Sequence, residues 1–181
     1  MILLVLGIAL WVAAHLFKRV APERRAAMGD KGKGAVAVAL LVALVLIVLG
    51  YRGAPFINVW TPPAFMVHIN NLLMLVAVFV YGMSATTGRL RGKMRHPQLT
   101  AVKIWAVAHL LVNGDLASII LFGSMLAWAV AEVIVINRSE AWVRPEPGPA
   151  KKDILLVVIT LVMFAVITGI HAWLGVWPFP R

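Results

Sequence analysis

The stretch HPQLTAVKIWAVAHLLVNGDLAS, residues 96–118, reads as a membrane helix that ends in a tight turn and hands over to a second helix. It nevertheless carries Lys103, His109, Asn113 and Asp115. Ionisable groups are costly in hydrocarbon, so those that occur there face the bundle interior and mark function, or lie close enough to an end to reach water.

The surroundings of this stretch are equally apolar. Of the 181 residues, 62% are hydrophobic, against about 45–50% in a soluble domain. The apolar residues fall into six blocks, at 1–17, 35–50, 64–82, 97–112, 116–136 and 154–173. A span needs about 20 such residues, with about 17 as the lower limit, so the second and fourth blocks are short. The expectation is an all-α polytopic membrane protein, one domain over residues 1–181, built as a six-transmembrane-helix bundle.

The basic residues set the orientation. Segments 18–34, 83–96 and 137–153 together hold fourteen of the seventeen Lys and Arg, while 51–63 and the tail hold only Arg52 and Arg181. By the positive-inside rule the rich segments are cytoplasmic and both termini periplasmic. The net charge of +10 is then topology and contact with the lipid bilayer, not a nucleic-acid footprint. In the first block the positive charge follows the apolar core, the reverse of a signal peptide, so it is read as a retained helix. Tyr51, Trp60, Trp173 and Trp177 suit the periplasmic boundary, and Trp60-Thr61-Pro62-Pro63 suits the approach to the third helix. The Ala/Val/Arg-rich composition points to a bacterium, and so to its inner (cytoplasmic) membrane. Without cysteine there is no disulfide, thiolate ligand, iron–sulfur cluster or covalent haem. No Walker loop, dinucleotide glycine fingerprint, nucleophile elbow or zinc-protease spacing is present.

The histidines sort by depth. His68 and His109 each fall about 6 Å, and His171 about 3 Å, from the expected periplasmic face. His15 and His96 fall near the cytoplasmic ends of their helices. Two imidazoles at one depth on facing helices are a common way to hold b-type haem in a bundle. His68, His109 and His171 meet that condition on one side, and His15 with His96 on the other. His96 precedes Pro97 and also suits the cap of a helix with proline at its first position. Asn113, one turn after His109, suits a hydrogen bond to the imidazole. Trp105, one turn before it, suits a cofactor wall or packing. Lys103 suits snorkelling to the cytoplasmic side, or pairing with a haem propionate or with Glu132. In Asn113-Gly114-Asp115, Gly114 suits the left-handed close of one helix and Asp115 the cap of the next.

The stretch from His96 to Trp128, with His96-Pro97-Gln98 and Ala108-His109 setting the two histidines 13 residues apart, closely resembles the signature of the NnrU family. That is a bacterial membrane family named for a link to denitrification and related to the plant and cyanobacterial 15-cis-ζ-carotene isomerase. WTPP with His68, the first-helix His15 and the terminal HAWLGVWP from His171 extend the resemblance over essentially the whole chain. It implies a b-type haem whose histidines correspond to His109 and His15, and cis–trans isomerisation of a polyene. A cysteine ligand of the isomerase branch corresponds to Ala106, which cannot bind iron. Residue depth pairs His109 with His68 or His171, whereas the resemblance pairs it with His15, and both pairings stand as expectations. So do three functions: a haem-dependent polyene isomerase, a haem protein that handles nitric oxide or relays electrons, and a cofactor-free membrane assembly factor. Oligomeric state is open in all three.

Overall fold

Each of the six apolar blocks forms a helix, because in lipid only a helix satisfies every backbone N–H and C=O within its own segment. A computed structural model, which describes residues 1–180, contains seven α-helices. These are α1 (Ile2–Val20), α2 (Pro22–Ala27), α3 (Gly29–Arg52), α4 (Met66–Gly82), α5 (Pro97–Leu110), α6 (Leu116–Ser139) and α7 (Lys151–Trp173). A 3-10 turn spans Arg89–Gly92, and no strand occurs among the described residues. Four helices, α1, α3, α6 and α7, are long and apolar enough to cross a membrane. With 17 and 14 residues, α4 and α5 are shorter, about 26 and 21 Å at 1.5 Å per residue.

The second block proves longer than its apolar run. The 24 residues of α3 begin at Gly29, so the helix continues through Lys31 and Lys33. The basic segment before it is not a plain loop either, since Pro22 opens the six-residue α2. Pro62 and Pro63 lie upstream of α4 in non-helical backbone, three to four residues before its first residue, Met66.

The helices pack in the order α3, α1, α6, α5, α4, α7, each mainly against its neighbours in that row. Close approach of α1 and α3 depends on glycine. A Cβ on Gly50 would lie 2.2 Å from the Leu4 N, and one on Gly7 2.7 Å from the Ile47 N. This small-residue seam lets the backbones meet where apolar side chains alone give no drive toward association in lipid. The central core joins Leu4, Ile8, Ile47, Leu121, Phe122, Met125 and Trp128. A smaller cluster of Val80, Met83, Ala101 and Leu156 ties α4 and α5 to α7. The outer faces of α3 and α7 remain apolar and exposed, with Val38, Leu41, Ile154 and Leu161 among them. Such faces belong against lipid.

The turn between α5 and α6 holds the bundle together at one end. The Asp115 carboxylate accepts from the Ser118 N at 3.0 Å and from the Ser118 hydroxyl at 2.5 Å. The Tyr51 hydroxyl on α3 therefore donates to the Ser118 oxygen, at 2.8 Å. Ser118 is fully buried, so this chain satisfies a hydroxyl that would otherwise be costly. Asp115→Ala removes the cap and is expected to cost about 1–2 kcal/mol, read as a lower thermal midpoint in detergent. Gly114 does not take the left-handed conformation expected of it, for positive φ occurs only at Gly29 and Gly175 among the described residues. Its reason is contact. The segment before α4 crosses over it, with the Val59 N and Trp60 N both donating to the Gly114 O and the Leu116 N donating to the Ile57 O. A Cβ there would stand 1.8 Å from the Trp60 O.

Candidate functional site

Three helical histidines share one local geometry. Nδ1 of His15 lies 3.0 Å from the Trp11 O, Nδ1 of His109 3.0 Å from the Trp105 O, and Nδ1 of His171 2.8 Å from the Ile167 O. A carbonyl only accepts, so each Nδ1 carries the proton. In the neutral ring Nε2 is then left with its lone pair, the form in which imidazole binds a metal. His96 is different: it sits at the N-cap of α5, and its Nε2 is taken up by the Asn137 Oδ1 at 2.9 Å. His68 is exposed near the start of α4.

His109 lies in an aromatic setting. Its ring stacks on Phe122 of α6 with centroids 4.5 Å apart, and Trp105 stands 5.3 Å from it and 5.0 Å from Phe122. The expected same-face relation of Trp105 and His109 is therefore present. Phe122 was not foreseen, because it depends on the register that the 113–115 turn imposes on α5 and α6. His171, like His109, lies in the last turn of its helix, and α5 and α7 each pack against α4 but not against each other. The chain turns back after α7, and the Asn71 amide of α4 donates to the Pro178 O at 3.0 Å. Phe179 meets Phe164 at 6.5 Å, so the tail ties the His171 end of α7 to α4.

His15 lies elsewhere. Its ring is 4.5 Å from Trp11 and 4.6 Å from Trp128, in the α1–α6 interface. Trp128 is six residues beyond Phe122 on α6, a rise of about 9 Å and a different helix face. The structure thus sets His15 apart from His109. One turn beyond Trp128, Glu132 is buried, and its Oε2 has no hydrogen-bond partner. Lys103 forms no ion pair among the described residues, so the pairing with Glu132 is not formed. Arg19 instead pairs with Glu140 just beyond α6, which holds that carboxyl below its usual range. Asn113 does not reach the imidazole: its amide donates to the backbone O of His109 at 2.9 Å, and the tautomer is set by the Trp105 carbonyl.

The sequence model described as "NnrU protein" matches residues 3–178. The chain belongs to the NnrU family. That match covers the candidate site as well as the bundle around it, from α1 through the tail beside His171. Among curated proteins and among solved structures the chain has no match.

No group of three or more His, Cys, Asp or Glu suited to caging a metal ion occurs among the described residues. Two imidazoles are too few for such a cage. A b-type haem, which brings most of its own iron ligands, would need only two such side chains.

Proposed function

We propose that this member of the NnrU family is a multi-pass protein of the bacterial cytoplasmic membrane, with six spans and both termini periplasmic, that binds b-type haem through His109 and His171. The observation that carries the reading is the pair itself. Both rings are fixed by Nδ1 hydrogen bonds, both leave Nε2 without a partner among the described residues, and they stand in the last turns of α5 and α7, which both pack on α4. Cofactor sites in bundles are built from such facing side chains. Trp105 and Phe122 supply an apolar wall. Lys103, unpaired among the described residues, is six residues before His109 and so on a different face of α5, which suits snorkelling better than a propionate. When bound, haem supplies a redox-active iron, and the polypeptide supplies two neutral imidazoles, their orientation and an apolar, water-poor surround.

The substrate class is a hydrophobic cis-polyene, as the resemblance to carotene isomerase implies. The exposed apolar faces of α3 and α7 are compatible with lateral entry from the lipid. The test is conversion of a cis-polyene in liposomes that contain the purified protein. Conversion with the reduced protein, and none with His109→Ala, supports the reading. A haem-loaded protein that converts no polyene in either redox state overturns the isomerase part and leaves the haem part standing.

A further inference from the structure

Near the His96 end of α5 a cavity of about 310 Å³ opens between α5, the end of α6 and the 140–150 segment. Its polar lining holds two cations, Arg91 and Arg95, with Ser84, His96 and Gln98, and no carboxylate lines it among the described residues. Its apolar lining includes Met94, Leu99 and Trp142. Arg91 has neither an ion pair nor a side-chain hydrogen bond among the described residues, and Arg95 bonds only neutral carbonyls, the Ile136 O at 3.4 Å and the Glu140 O at 2.6 Å. The guanidinium of Arg144 lies 5.4 Å over the Trp142 ring and adds a further positive charge at the rim. The N-terminus of α5 lies at the same place. Its cap, His96, makes no side-chain capping bond, so the first N–H groups of the helix stay available beside the guanidinium groups.

We propose that this cavity binds the headgroup of an anionic phospholipid. Two guanidinium groups and a helix N-terminus suit a phosphate. The volume is at the small end of ligand sites, enough for a headgroup and not for a whole lipid. The apolar side of the lining, Met94, Leu99 and Trp142, lets acyl chains run on along the bundle, which a free phosphate would not use. Basic pockets between helices at the cytoplasmic face are a known setting for anionic headgroups. The inference rests on the topology given above, which makes this face cytoplasmic, and not on the haem.

The test is native mass spectrometry of the delipidated full chain in detergent, titrated with phosphatidylglycerol, phosphatidylcholine or inorganic phosphate. One phosphatidylglycerol is expected to be retained in clear preference to phosphatidylcholine. Arg91→Gln is expected to cut that preference about fivefold, and Lys31→Gln, outside the cavity, to leave it unchanged. Arg91 is the cleaner position, because Arg95 also holds backbone carbonyls. Equal retention of the two lipids, full selectivity in R91Q, or displacement of the lipid by inorganic phosphate at comparable concentration overturns the proposal. Because detergent has no sides, failure here is separate from failure of the topology, which labelling of a cysteine introduced at Ala27, exposed and outside the cavity, reads directly.

Discussion

His109→Ala is expected to lose haem by about tenfold or more, with the Soret absorbance per chain falling accordingly while the protein still purifies as a folded bundle. The ring makes few structural bonds. It stacks on Phe122 and accepts its tautomer from the Trp105 carbonyl, and alanine is well tolerated in a helix interior. His171→Ala is expected to keep part of the haem with an altered absorbance spectrum. His15→Ala is expected to keep both haem and spectrum, since its ring belongs to the α1–α6 interface with Trp11 and Trp128. Asn113→Ala is also expected to leave haem content nearly unchanged, because its amide serves the backbone of His109. Loss of haem in H15A with retention in H171A would reassign the second ligand to the pairing that the family resemblance implies.

Gly114→Val is expected to be among the most damaging single changes to the fold, at about 3 kcal/mol or more. The atom in the way is the Trp60 carbonyl oxygen, at 1.8 Å from a Cβ. Backbone cannot swing aside as a long side chain can. Moving it would break the bonds from the Val59 N and Trp60 N to the Gly114 O, and with them the crossing of the 53–65 segment over the α5–α6 turn. Gly123→Ala is the contrast. Nothing lies within 4 Å of a Cβ at Gly123 in mid-α6, and glycine costs a helix interior about 1 kcal/mol relative to alanine. The thermal midpoint of G123A is therefore expected at or above that of the parent, and that of G114V far below it.

Hydrophobic blocks were enough to locate all six principal helices, because an apolar run in lipid has little alternative to helix. The limits were less legible where charge and helix overlap: Lys31 and Lys33 look like loop but continue α3. At the candidate site, position along one helix was readable and contact between helices was not. Trp105 and His109 follow from a spacing of four, and the Asp115 cap follows from residue type. Phe122, the segment crossing over Gly114 and the burial of Glu132 each depend on a partner far away in sequence. Depth counted along straight helices grouped His109 with His171, and the structure puts both in the last turns of their helices, α5 and α7. The same count grouped His68 with them, and that residue is exposed on α4. Asn113 failed for a local reason, since a side chain at the end of a helix finds the free carbonyl four residues back before it finds a ring.

The most direct test is the absorbance spectrum of the detergent-purified protein, oxidised and dithionite-reduced, with a pyridine haemochrome assay on the same sample. A Soret band, sharp α and β bands on reduction, and about one b-type haem per chain are the predicted result. A colourless protein that stays free of haem when haem is supplied during expression would contradict the account at its centre.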